Sequence, residues 1–189
     1  MSQSAPELET AGRRLPGDLD KAEMMDRIIR VDHAGEFGAV QIYKGQLAVL
    51  GKTASAQTIQ HMAEQERRHL EKFEALVVER GVRPTALQPL WTVAGFALGA
   101  VTALMGEKAA MACTAAVESV IDQHYAKQAD VLGPDEAPLK AVIEEFRAEE
   151  AEHHDTAIAR GAEEAPAYPL LSGLIKAGSR AAIWLSERV

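Results

Sequence analysis

The sequence predicts an all-α fold, a four-helix bundle that carries additional apolar or amphipathic helices. Three observations lead there. Apolar residues recur at three- and four-residue steps through each long segment, the period of a helix with one buried face. Aromatic residues make up only 5% of the chain while alanine and leucine abound, a composition suited to closely packed helices. A Glu-x-x-His motif occurs twice, as Glu66-Arg67-Arg68-His69 and as Glu150-Ala151-Glu152-His153, and that spacing puts both side chains on one helix face.

With 189 residues the chain fits one domain, expected over 20–189. Residues 1–19 contain Pro, Gly, two arginines and several acids without an apolar run. They match neither a secretory signal nor an acid-poor transit peptide, and are expected to form a flexible lead-in. A formal charge of −8 and the lack of a basic stretch interleaved with aromatics exclude nucleic acid as the main partner. Cys113 is the single cysteine, so no disulfide framework and no cysteine-based zinc site exists, and its apolar neighbours predict a buried, inert thiol.

From Asp20 to about Leu50, Met24, Ile28, Val31, Gly35, Ala39 and Ile42 form a helical stripe, with Glu36 at its edge. Gly35 and Gly38 flank that glutamate at a cost of roughly 1 kcal/mol each relative to alanine, which suggests a close approach of backbones there. Ser55 is expected to cap a second helix through Met62, Glu66, His69, Phe73 and Leu76, ended by Gly81. Its charged residues Arg67, Arg68, Glu71, Lys72 and Glu74 read as the solvated side, and His61 as a surface histidine.

Between Pro84 and Gly106 no residue is charged. The apolar run Leu90–Met105 is shorter than the ~20 residues a spanning helix needs, so a buried or membrane-surface helix is expected. Its Gly95/Gly99 pair fits either close helix packing or an interface, and Trp91 suits a boundary between apolar and wet surroundings. A further helix from about Glu107 to Leu132 carries Glu118 among small residues, where a carboxylate is costly unless paired or bound to metal. Asp122, one turn on, is a rival ligand or a supporting partner.

Tyr125 stands seven residues after Glu118, and Tyr43 seven after Glu36, a second sign of internal duplication. Either tyrosine can hydrogen-bond a liganding carboxylate or pass a proton, or simply sit in the core with a local partner. Asp135 and Pro138 are expected to open a helix through Ile143, Phe146, Glu150 and His153, ending near Gly161. His154 competes with His153 for the ligand role, but the offset in the first motif favours His153. The acids at 144, 145, 149 and 152 read as mostly solvated. A last helix after Pro169 sets Leu170, Leu174, Ile175 and Trp184 against Lys176 and Arg180, a pattern that fits an anionic membrane surface or packing on the bundle.

The ligand order is therefore Glu36, Glu66 with His69, Glu118, Glu150 with His153. Four helices contributing such side chains build the di-iron or di-manganese centre of ferritin-like bundles. Four carboxylates balance two divalent ions, and the oxygen and imidazole donors suit iron or manganese better than copper or structural zinc. Spacing alone does not choose between those two metals.

Longer runs carry a resemblance. Arg30-Val-Asp-His-Ala-Gly-Glu36-Phe-Gly-Ala, Gln65-Glu66-x-x-His69-Leu, Leu90-Trp-x-Val-x-Gly-Phe-Ala-Leu-Gly-Ala, Ala116-Val-Glu118 with His124-Tyr125, Glu149-Glu150-x-Glu-His153-His154-Asp and the tail from Ala165 to Arg188 closely resemble demethoxyubiquinone hydroxylases, over about Met25 to the C-terminus. The resemblance implies a ferritin-like di-iron monooxygenase of ubiquinone biosynthesis, with its ligands on the same six residues. It implies hydroxylation of a polyprenyl demethoxybenzoquinone ring by dioxygen, with two ferrous ions as cofactor and electrons from NADH. It associates His124 and Tyr125 with electron and proton delivery. It also implies a peripheral seat on a membrane, with the uncharged 84–106 stretch as an apolar entrance for the quinone. Mitochondrial members carry a transit peptide absent here, which implies the cytoplasmic side of a bacterial cell membrane. A second copy or another quinone-pathway protein stays open as a partner. An iron-storing or peroxide-reducing ferritin relative would share the ligands but not need the apolar stretch, and a non-catalytic helical interaction protein would bind no metal.

Overall fold

A computed structural model describes residues 19–189, and among them are six α-helices and no strand. These are α1 (Lys21–Leu50), α2 (Ala56–Arg80), α3 (Gln88–Leu104), α4 (Glu107–Val131), α5 (Ala137–Ala159) and α6 (Tyr168–Ser186). The lead-in expected over 1–19 lies, apart from Leu19, outside the described residues.

Local chemistry sets the helix ends. Asp20 caps α1 in a reciprocal box, accepting from Glu23 N at 2.8 Å while the Glu23 carboxylate accepts from Asp20 N at 2.8 Å. Gly81 ends α2 at φ 66°, a left-handed conformation that glycine adopts without steric cost. Two expected caps differ. Ser55 makes no capping bond, because its hydroxyl donates instead to Glu107 at 2.9 Å and ties α2 to α4. Asp135 lies in a short 3-10 turn before α5 and pairs with Lys21, while Pro138 occupies the first turn as expected.

Helices α1, α2, α4 and α5 form the ferritin-like bundle, α3 lies back against α1, and α6 lies back against α4. The chain is thus two three-helix halves of like design. Apolar packing fills both ends of the bundle. Ile29, Phe73, Tyr125, Leu139 and Ile143 fill one end; Tyr43, Ile59, Met62 and Met111 fill the other. Each such side chain contributes about 1.5–3 kcal/mol by leaving water. In α4 every residue from Ala109 to Glu118 is buried, because α6 and α3 cover the side that the bundle leaves open. The run of alanines lets those neighbours come close. Cys113 is fully buried there, and burial pushes its thiol up to about 12, so it is inert as expected.

The backbone approach expected at Gly35 and Gly38 is met at Gly38, continues along α1 through Ile42 and Gly45, and leaves out Gly35. A Cβ on Gly99 would collide with the Ile42 carbonyl, one on Gly45 with the Phe96 carbonyl, and one on Gly95 would stand 2.9 Å from the Gly38 oxygen, whereas Gly35 itself has room for a side chain. The Gly95/Gly99 pair therefore seats α3 on α1. The opposite side of α3 faces outward, with Val93, Phe96, Val101 and Leu104 exposed, the last at 73%. Leu170, Leu174 and Trp184 of α6 are exposed beside it. No helix among the described residues is long and apolar enough to cross a membrane.

Candidate metal centre

Between the two apolar ends, the middle turns of the four bundle helices each direct a carboxylate inward. Glu36 comes from α1, Glu66 from α2, Glu118 from α4 and Glu150 from α5, each at most 2% exposed, with His69 and His153 beside them. The donor atoms gather into two overlapping sets, Glu36, Glu66, His69 and Glu150, and Glu66, Glu118, Glu150 and His153, each within 4.8 Å of one another. Glu66 and Glu150 belong to both. All six residues expected from spacing meet here.

The polar atoms facing the centre are not satisfied by one another. Glu66 Oε1, Glu150 Oε2 and the Nδ1 atoms of His69 and His153 have no hydrogen-bond partner although all are buried. His153 Nδ1 lies 3.0 Å from Glu66 Oε1 and 3.3 Å from Glu150 Oε2, and His69 Nδ1 lies 3.1 Å from Glu150 Oε1. Each buried orphan costs about 1–3 kcal/mol, and cations between these atoms would remove that cost. The donor set fits two divalent ions that prefer oxygen and imidazole ligands.

Electrostatics agree. Burial, with Glu150 next, pushes the Glu66 and Glu118 carboxyls well above the usual range. Burial would lower His69, but the Glu150 and Glu36 carboxylates outweigh it and push it up to about 11. His153 is raised in the same way, against its burial, by Glu150 and Glu118. Protons held by these groups occupy the role that metal charge would take over.

The tyrosines bind crosswise. Tyr43 of α1 donates to Glu118 of α4 at 3.1 Å, and Tyr125 of α4 donates to Glu36 of α1. Residues seven apart on a helix are separated by about 10.5 Å, too far for a hydroxyl to reach its own helix's glutamate, whereas the antiparallel neighbour brings it close. Burial and those carboxylates raise both phenols well above their ordinary value, so each stays a donor.

The imidazole Nε2 atoms point away from the centre onto residues that spacing does not single out. His69 Nε2 donates to Glu149 at 3.0 Å, and His153 Nε2 to the Gln65 oxygen at 3.1 Å. Glu149, expected on the solvated face, is instead half-buried, held by Arg68 at 3.0 Å and by the Gln65 amide at 3.1 Å. Asp122 is excluded as a ligand, since Arg147 takes its carboxylate at 2.8 Å on the outside of the bundle. His154 also faces outward and pairs with Asp155 at 3.1 Å. His124 stands outside the cluster. It contacts Gln128 at 2.9 Å and Asp32 at 3.4 Å, and Asp32 precedes Glu36 by one turn of α1. Burial raises the Asp32 carboxyl, with the His124 contact working against it.

An apolar groove of about 450 Å³ opens between α3 and α6, lined by Trp91, Leu98, Met105, Leu171, Leu174 and Ala182. A narrower pocket continues it inward past Gly35, Ala39, Val117 and Ile121, residues next to Glu36 and Glu118 on their helices. Trp91 donates to Ser186 at 3.0 Å, joining α3 to the end of α6 at the mouth.

Fold and site together define a ferritin-like helical bundle whose buried carboxylates and histidines could hold metal ions, with an apolar groove beside them. Comparison with known proteins narrows the class. Residues 23–186 match the family model described as ubiquinone biosynthesis protein COQ7, and the chain belongs to that family. It is 61% identical over 96% of its length to the 3-demethoxyubiquinol 3-hydroxylase of Rhodospirillum rubrum, covering 86% of that protein. It is 58% identical to the rat protein named NADPH-dependent 3-demethoxyubiquinone 3-hydroxylase, mitochondrial, covering 87% of this chain and 77% of the other. The yeast 5-demethoxyubiquinone hydroxylase, mitochondrial, is 42% identical over 89% of this chain and 80% of its own.

Proposed function

We propose that the chain is a di-iron monooxygenase that hydroxylates the ring of a polyprenyl demethoxybenzoquinone in ubiquinone biosynthesis. The observation that carries this reading is the buried cluster of four glutamates and two histidines, beside an apolar groove whose inner pocket reaches Gly35 and Val117, the neighbours of Glu36 and Glu118. Glu36 with His69, and Glu118 with His153, would be the terminal ligands of the two ions, and Glu66 and Glu150 the shared ones. When bound, the iron pair supplies the oxygen and one-electron chemistry. In the net reaction a ring C–H bond and one O2 become a C–OH bond and water, with two electrons and two protons supplied.

The protein's residues do the rest. Ile42, Leu98 and Leu171 exclude water from the groove, and the prenyl tail can lie along it while the head group enters between α1 and α4. Tyr125 and Tyr43 fix the orientation of Glu36 and Glu118 and hold the protons nearest the centre. His124, with Asp32 and Gln128, sits between solvent and α1, the position from which protons or electrons would arrive. The exposed apolar side chains of α3 and α6 support a seat on the surface of a membrane, here the cytoplasmic side of a bacterial cell membrane. The resemblance points to NADH as electron source, while the mammalian relatives are named for NADPH, so the donor is assigned only as a reduced nicotinamide nucleotide.

The test is conversion of a prenylated demethoxyubiquinol under labelled dioxygen by the iron-loaded protein, with NADH and NADPH compared. One labelled oxygen atom in the product ring supports the reading. Oxidation of iron with peroxide consumption and no ring product would favour the ferritin-like alternative.

A further inference from the structure

Each imidazole of the centre is held from behind by the residue that precedes the other motif's glutamate. Glu149, next to Glu150, accepts from His69 Nε2 at 3.0 Å; Gln65, next to Glu66, accepts from His153 Nε2 at 3.1 Å. Hydrogen-bond bookkeeping sets the direction of every bond. An ionised carboxylate can only accept, so the Gln65 amide meets Glu149 with its NH2 group, at 3.1 Å, and its oxygen is left to face His153. Turned the other way, the amide would set its oxygen against the Glu149 carboxylate. With metal bound, both imidazoles would therefore keep their proton on Nε2 and give the Nδ1 lone pair to the centre, where both Nδ1 atoms lack a hydrogen-bond partner.

The two halves match in their other parts. Each has a terminal glutamate, a tyrosine donating to it from across the bundle, and a share of Glu66 and Glu150. They differ behind the histidine. His69 is backed by a carboxylate and His153 by a neutral amide. A charged acceptor draws the Nε2 proton more strongly and leaves Nδ1 the richer donor, and groups in this position shift metal affinity by about 10–100-fold. Arg68 also holds Glu149, but with its side chain 56% exposed the pair is screened by solvent and leaves most of that pull intact.

The geometry points to an ordered centre: Glu149 makes the position of Glu36 and His69 the tighter of the two and the first to fill, and Gln65 leaves the position of Glu118 and His153 second. Glu149 and Gln65 are thus positioning residues that make two otherwise equivalent ions chemically distinct. The inference rests on the two-metal reading above.

The experiment titrates the metal-free full chain, labelled with 15N-histidine, with diamagnetic Zn2+ while the ring signals of the six histidines are followed. One equivalent should give the ligation shift at Nδ1 of His69 and leave that of His153 unligated, and the second should shift His153. The isosteric exchange Glu149→Gln with Gln65→Glu should reverse that order, whereas a merely structural role would weaken both steps and reverse nothing. Glu149→Gln alone should lower the first affinity by about 10–100-fold. Simultaneous shifts of His69 and His153 in the parent, or an unchanged order in the exchanged protein, would overturn the inference; the parent titration alone decides it if the exchanged protein does not fold. Fewer than two Zn2+ per chain would instead overturn the two-metal reading on which it rests.

Discussion

Replacing Gly99 by alanine should dislodge α3 from the bundle. The new methyl would stand 2.8 Å from the Ile42 carbonyl carbon and 3.0 Å from its Cα, and closer still to the oxygen. These are backbone atoms of α1, so no side chain can swing aside and the helices must separate by roughly an ångström. Overpacking of that kind costs about 1–3 kcal/mol, and the rigidity of the contact argues for the upper end. Helix propensity returns about 1 kcal/mol, which leaves a net loss of about 2 kcal/mol. For a domain of this size that lowers Tm by about 4–8 °C. Gly173→Ala in α6 is the control: nothing lies within 4 Å of where its methyl would stand, so propensity alone should act and stability should hold or rise slightly. Thermal and urea unfolding of both variants measures the difference. A Gly99→Ala protein as stable as Gly173→Ala would refute the close crossing of α1 and α3, and with it the reason why α3 can turn its apolar side outward.

Substituting Glu118 or His153 by alanine should remove metal and hydroxylation together, while His154→Ala, whose ring faces outward, should spare both; metal analysis beside the turnover assay separates these outcomes. Tyr125→Phe deletes the donor to Glu36 and should slow turnover about tenfold or more while metal content stays unchanged. Metal affinity should fall as pH falls. Glu66 and Glu118 are raised by burial, and His69 and His153 by the carboxylates beside them, so in the metal-free protein they keep protons near neutrality that a metal must displace. Each displaced proton adds about one log unit of affinity per pH unit, and calorimetry in buffers of different ionisation enthalpy counts them; an affinity flat between about pH 6 and 8 would contradict this.

Much of the centre is legible from spacing, because a helix makes sequence offset into geometry. Glu66 with His69 and Glu150 with His153 share a face at three residues apart, and the two isolated glutamates stand out as charges among small residues. Spacing cannot supply anything that depends on a second helix. Tyr43 and Tyr125 are visible as a matched pair, but which carboxylate each meets depends on the antiparallel pairing of α1 with α4. Glu149 reads as solvated because its neighbours 144, 145 and 152 do, and Gln65 carries no charge to single it out. A signal exists all the same: both stand immediately before the motif glutamate, at the same place in each repeat. The glycines show the same division. Gly35 and Gly38 stand out for their closeness to Glu36, yet the contact takes Gly38 with Gly45, Gly95 and Gly99 and leaves out Gly35, since the crossing point of α1 and α3 is a property of the pair. Ser55 and Asp135 are capping residue types that find stronger partners in Glu107 and Lys21.

The most direct test of the central claim is the iron count of the purified chain after anaerobic reconstitution with ferrous ion, in the parent and in Glu150→Ala. Glu150 belongs to both donor sets, so the parent should hold two irons per chain and the variant should lose both. A parent that binds no more than one iron, or a variant that still binds two, would contradict a centre shared across α2 and α5.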